Sequence, residues 1–193
     1  MNEPEFVEAN RRIGRGAIIL SIVAFILPWI LPNSSLLTEN SLAQFLNHFI
    51  PSASKLAHFA RWSKMIEFYL LIVLSLSFLT GLLNFYWDPT SRRLHKSFRT
   101  SSAGKLKKWL FSIYAIGVCA LLIWLFYYFP MPSMNLEFDG HGSRGQLFLS
   151  LMLNSKLWLG VFGAVICVAL SMIWLYLLVG FYFFFFLPFY KAR

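Results

Sequence analysis

The sequence predicts an all-α integral membrane protein, a single domain over residues 1–193 that crosses a bilayer four times and carries short amphipathic helices on the outer face. Of its 193 residues, 58% are hydrophobic, 19% are aromatic and only 13% are charged, whereas an average soluble domain is about 25% charged. A soluble domain of this length could not bury so many large apolar side chains. In lipid they need no burial, and the charged residues fall between long apolar stretches.

Four apolar stretches approach the roughly 20 residues with which a helix crosses the hydrocarbon core; they cover about residues 16–34, 66–87, 109–129 and 157–187. The first is short and contains Pro28. We interpret it as a retained anchor, because Glu3, Glu5 and Glu8 are atypical of a cleaved signal peptide. The last would extend about 46 Å as a helix, against a core of roughly 30 Å. We expect it to tilt, or to end along the interface near Pro188.

Basic residues predict the orientation. With four crossings, both termini and the middle connection lie on one side of the membrane. That side carries twelve of the 17 Lys and Arg residues, and the other side carries five. Cytoplasmic segments carry an excess of Lys and Arg. We therefore expect a multi-pass membrane protein with both termini in the cytoplasm.

The two outer connections contain apolar residues at helical spacing. The segments Ser41–Phe49 and Ser54–Met65 flank Pro51, and Gly145–Ser155 repeats the pattern before the last span. Each predicts a short amphipathic helix lying on the outer membrane surface.

The middle connection is strongly basic. Seven residues are predicted to contact anionic lipid: Arg92, Arg93, Lys96, Arg99, Lys105, Lys107 and Lys108. No nucleic-acid-binding motif accompanies them, so the bilayer is the expected partner and nucleic acid is not.

Small and polar residues recur on one face of two spans. In the second span they are Ser77, Gly81 and Asn84, and in the fourth they are Gly160, Ala164, Cys167 and Ser171. Small residues let helix backbones approach closely in lipid. These positions predict either packing within the bundle or a surface for a partner helix, and Asn84 is expected to hydrogen-bond across helices.

The apolar cores of the four stretches contain no ionisable Asp, Glu, Lys, Arg or His residue, and Glu67, near the outer end of the second stretch, comes closest. Such residues mark proton and ion pathways in membranes, so a proton-coupled transporter, a pump and a voltage sensor are disfavoured. A passive pore lined by hydroxyl groups remains an alternative hypothesis. Cys119 and Cys167 lie in apolar stretches without metal-site spacing, and no cofactor is predicted.

Catalytic residue types crowd together only around Asp139 and His141, close to Ser143 and Arg144. A carboxylate, an imidazole and a hydroxyl could support acid–base chemistry. The flanking Gly140 indicates a polar turn, which is the interpretation we prefer, and no catalytic residue is assigned.

In plan, the chain resembles the four-span immunity proteins that protect bacteria from pore-forming colicins, which have cytoplasmic ends, basic inner segments and a Phe-rich last span. Small subunits of conjugation and secretion machines share this plan, and the resemblance assigns no functional residue. In keeping with this resemblance, we expect a non-enzymatic protein of a bacterial inner membrane that acts through helix–helix contact, as an immunity protein or an accessory subunit, with a membrane protein or a second copy as partner. The alternatives are a channel or transporter subunit, and a membrane-bound enzyme that uses the Asp139/His141 turn.

Overall fold

The computed structural model describes residues 3–57, 60–87, 105–128 and 151–186. Its helices are α1 (Glu3–Ile30), α2 (Leu36–Glu39), α3 (Ser41–Phe49), α4 (Pro51–Ala57), α5 (Ser63–Trp87), α6 (Lys105–Tyr128) and α7 (Lys156–Phe186). Residues 151–154 are also helical. Within these ranges there are no strands, in agreement with the all-α class.

Three helical segments of the described chain are long and apolar enough to cross a membrane: Ser63–Tyr86, Trp109–Tyr128 and Lys156–Phe185. They indicate a membrane protein. The predicted first crossing is not among them, because its apolar helix, Gly16–Ile30, is shorter. A proline disfavours helical conformation at the residue before it, so Pro32 ends α1 earlier than the predicted boundary at residue 34.

The helix α7 lies at the centre of the long helices and contacts α1, α5 and α6. Its first half packs on α1 and α5, and its second half packs on α5 and α6. The buried core contains Met65, Tyr69 and Val73 of α5 together with Leu159 and Leu170 of α7. Half of the apolar part of α5 is buried but only 6% of that of α6, so α6 lies at the edge of the bundle.

The short helices α2, α3 and α4 pack around the beginning of α5. The bounds of α3 are the predicted ones, and Asn40 caps it by accepting a hydrogen bond from the Leu42 amide at 3.2 Å. The next helix differs from the prediction, since it begins at Pro51 and ends at Ala57. Proline is favoured at the first position of a helix because its fixed φ suits the helix and its missing N–H is not needed there.

Candidate functional site: polar groups and small residues between the long helices

The two predicted faces of small residues meet at Gly81 and Ser171. A Cβ atom added to Gly81 of α5 would lie 2.5 Å from Trp174 Cβ and 3.0 Å from the Ser171 carbonyl oxygen of α7. Only a residue without a side chain permits this approach of the two backbones. Ser171 itself is buried, and its hydroxyl donates to the Val168 carbonyl at 2.8 Å within α7.

Gly160 brings α7 against α1 in the same way. A Cβ atom there would meet the Phe25 carbonyl oxygen at 2.5 Å and the Trp29 ring at 3.0 Å. Cys167 is fully buried. Ala164 of α7 lines a surface groove between α1 and α7. The fourth-span residues thus lie at or beside contacts within the bundle. Asn84 is half-buried, and its hydrogen bonding across helices stays a prediction.

Tyr69 joins three helices. Its side chain is fully buried, and its hydroxyl lies 3.0 Å from both the Ala24 carbonyl of α1 and the Leu159 carbonyl of α7. The single hydroxyl proton can be shared between these two acceptors. The ring passes directly over Gly163, where a Cβ atom would overlap the hydroxyl. Gly163 therefore makes the space in which Tyr69 reaches both backbones.

A second polar cluster lies where α5, α6 and α7 meet. The Tyr127 hydroxyl donates to the Leu74 carbonyl at 2.7 Å and accepts a hydrogen bond from Trp174 Nε1 at 3.0 Å. The Ser77 hydroxyl donates to the same carbonyl at 2.7 Å and lies 3.2 Å from the Tyr127 oxygen. The predicted residue Ser77 is fully buried. Each hydroxyl is thereby satisfied, as a polar group away from water requires.

Four residues of these contacts were not predicted from the sequence: Tyr69, Tyr127, Gly163 and Trp174. Tyrosine and tryptophan are usually read as interface residues in membrane helices, so their position in an apolar stretch gave no prediction. A signal was present for two of them. Tyr69 and Trp174 each lie between apolar residues of a predicted span, and a buried hydroxyl or indole N–H needs a partner.

A third set of polar contacts holds the beginning of α5. Glu67, with a side chain only 12% exposed, accepts a hydrogen bond from the Asn47 amide at 3.1 Å and lies 3.7 Å from Lys64 Nζ. The Met65 backbone amide donates to Asn33 Oδ1 at 3.2 Å. These contacts attach the α1–α2 connection and α3 to α5. They were not predicted, because the partners are far apart in the chain.

The predicted lipid-contact residues are described only in part. Lys107 is exposed on α6. Lys105 and Lys108 belong to α6, while Arg92, Arg93, Lys96 and Arg99 lie outside the described residues.

The predicted Asp139/His141 turn also lies outside the described residues. Among the described residues, no three His, Cys, Asp or Glu side chains come together as a metal site would require. The three polar clusters consist of hydroxyl, indole, amide and carboxylate groups that bind one another or the backbone, so the chemistry visible in the bundle is that of holding helices together.

No protein-family model matches the chain, and no curated protein and no solved structure is significantly similar to it.

Proposed function

We propose that this chain is a non-enzymatic protein of a bacterial inner membrane that crosses the bilayer four times and binds a transmembrane helix of another membrane protein through one face of α6. An immunity protein, or an accessory subunit of a secretion or conjugation complex, would act in this way. The observation that carries the proposal is the exposure of α6. Only 6% of the apolar part of α6 is buried, whereas the buried share is 50% for α5 and 33% for α7.

The fourth crossing is supported by the packing of α1. Trp29 lies against Gly160 at the beginning of α7, whereas Ser21 lines the same groove as Val168 and Ala169 farther along α7. The two helices therefore run in opposite directions side by side. Because α7 is long enough to cross a membrane, the packing of α1 along it supports a crossing by α1. An even number of crossings would have both termini on one side, and the excess of Lys and Arg there favours the cytoplasmic side.

The outer-surface position of the short helices is supported by α3. Leu42, Phe45 and Phe49 are each more than half exposed along one side of this helix, while Ala43 is buried and Asn47 binds Glu67. A short helix with one apolar side left uncovered suits the boundary between headgroups and acyl chains.

The partner-binding face of α6 is defined by Tyr114, Gly117, Val118 and Leu121. The three large residues are 69%, 39% and 55% exposed, and nothing lies within 4 Å of a Cβ atom added to Gly117. By contrast, a Cβ atom added to Gly81, Gly160 or Gly163 would meet atoms of a neighbouring helix. Gly117 is thus a place for close helix approach that this chain does not use itself.

Paired leucine substitutions test the proposal. Gly117→Leu fills the face, and Gly16→Leu is the matched control, because Gly16 is also helical with open space around it. The protein is purified in mild detergent from its native host, and the complex is measured by mass and by identification of its components. We expect one identified membrane protein to copurify stoichiometrically with the wild type and with Gly16→Leu, and to be lost with Gly117→Leu.

Two outcomes would contradict the proposal. A particle that contains only copies of the 22.4 kDa chain would make the partner a second copy. A complex that survives Gly117→Leu unchanged would remove α6 as the binding face.

A further inference from the structure

A groove runs between α1 and α7 on the outside of the bundle. It has a volume of about 710 Å³ and is lined by Ser21, Ile22, Phe25, Val161, Ala164, Val165, Val168 and Ala169. Its size falls within the range of small-molecule sites in proteins, roughly 300–1,000 Å³. Ile22 and Val165 are 51% and 63% exposed, so the groove opens outward, towards the acyl chains of the bilayer.

The shape of the groove follows from its small residues. Gly160 draws α7 against the Phe25 carbonyl of α1, and beyond this contact Ala164 and Ala169 leave the space between the helices unfilled. From Val161 to Ala169 the groove follows α7 for about 12 Å. With a single hydroxyl at Ser21 among apolar residues, it suits a hydrocarbon chain.

Charge at one end of the groove identifies the kind of lipid. Arg11 and Arg15 belong to α1 and precede Ile22 by eleven and seven residues. At 3.6 residues per turn, both positions fall within about 20° of Ile22 around the helix axis. Arg15 lies about 10 Å along the axis from Ile22. The distance from a lipid headgroup to the middle of its acyl chain is also on the order of 10 Å. The groove and two basic positions therefore share one face of α1 with Glu8, which falls within about 40° of Ile22, and the net charge of these three positions is positive.

We propose that this face binds one anionic phospholipid of the cytoplasmic leaflet, with an acyl chain in the α1–α7 groove and its phosphate at Arg11 and Arg15. The site uses helices other than α6 and does not depend on the proposed partner contact, but it rests on the proposed topology, in which α1 crosses the bilayer with its N-terminus in the cytoplasm. It also differs from the predicted lipid contact of the middle connection, because it holds a chain as well as a headgroup.

The test is native mass spectrometry of the full chain, purified with phosphatidylglycerol or phosphatidylcholine. We expect one phosphatidylglycerol to be retained and phosphatidylcholine to be lost. Val165→Trp, which fills the groove, removes the bound lipid. The control is Leu79→Trp, at a leucine exposed on α5 that belongs to neither the groove nor the partner-binding face, and this variant retains the lipid.

The charge is tested with Arg15→Gln, and Arg61→Gln is the control because Arg61 is exposed and belongs to the outer connection. A basic residue near a membrane surface contributes about 1 kcal/mol, which corresponds to about a five-fold change in affinity. We expect about five-fold weaker phosphatidylglycerol binding for Arg15→Gln and little change for Arg61→Gln. Unchanged unfolding midpoints in lipid-free detergent show that each variant is folded.

Three results would overturn the site: equal retention of the two lipids, full retention by Val165→Trp, or a dimer of this chain that Val165→Trp abolishes, which would place a second copy in the groove.

Discussion

At the scale of residues, the bundle depends on pairs in which a large polar side chain meets a glycine. Tyr69 fills the space over Gly163, and Trp174 lies against Gly81. Lipid is as apolar as the helix surfaces, so burial of apolar area adds little to helix association, and close packing with interhelical hydrogen bonds replaces it. The sequence offered glycines at several positions, and neighbouring side chains decide which of them are filled.

This difference predicts opposite effects of one substitution at two helical glycines. Gly163→Ala puts a methyl group into the Tyr69 hydroxyl, and overpacking of this kind costs about 1–3 kcal/mol. Gly117→Ala meets nothing, so the better helix propensity of alanine should leave stability unchanged or raise it by up to about 1 kcal/mol. Unfolding of the purified protein by SDS titration in mixed micelles measures both.

The contrast between the two glycines is the informative result. If Gly163→Ala were as stable as Gly117→Ala, the close contact between Tyr69 and α7 would be wrong, and with it the three-helix junction at the Tyr69 hydroxyl.

At the scale of elements, the beginning of α5 is completed by other parts of the chain. The first amides of a helix have no acceptor within it, and in α5 the Met65 amide finds Asn33, which follows α1. The Arg61 amide, just before α5, donates to Asn154 Oδ1 at 2.9 Å. The length of the apolar stretch was enough to predict that α5 exists. The residue at which α5 begins could not be predicted, because the acceptors for its first amides lie 32 and 93 residues away in the chain.

Removing the distant cap should loosen α5 locally. Asn33→Ala leaves the Met65 amide without its acceptor, and loss of a capping bond costs about 1 kcal/mol. We expect about five-fold faster amide hydrogen exchange in the first turn of α5. In Asn40→Ala the faster exchange should instead appear at Leu42 in α3, where Asn40 is the cap. Exchange mass spectrometry resolves the two regions, and faster exchange in α3 alone for both variants would contradict the cap from Asn33.

At the scale of the whole molecule, α7 organises the bundle by contacting α1, α5 and α6. The long apolar stretches predicted three helices that the structure also finds long enough to cross. The stretch at residues 16–34 was harder to assign as a crossing, because Pro28 and Pro32 interrupt it and its charged flank begins at Arg15. Its packing along α7, which no local pattern contains, is what supports a fourth crossing.

The number of crossings can be measured directly. Single cysteines replace Asn2, Thr38, Ser101 and Ala192 in a background without Cys119 and Cys167, and whole cells are treated with a thiol reagent that does not cross the membrane. Four crossings predict labelling of Thr38→Cys alone, since the other three positions face the cytoplasm and react only after lysis. Three crossings put the two ends of the chain on opposite sides, so labelling of Asn2→Cys in intact cells would contradict the fourth.

The length and composition of the chain's apolar stretches were enough to predict a helical membrane protein whose spans are uncharged in their middle parts, because these two properties decide whether a helix can cross lipid. The sequence also singled out the small residues at which helices approach. Only the tertiary structure decided which helices meet there, that Tyr69 ties α1 to α7, and that α6 keeps an open face. The physical reason is that lateral packing in lipid depends on complementary shape and on hydrogen bonds between distant segments. Tyr69 reaches partners 45 and 90 residues away, and no local pattern encodes such a contact.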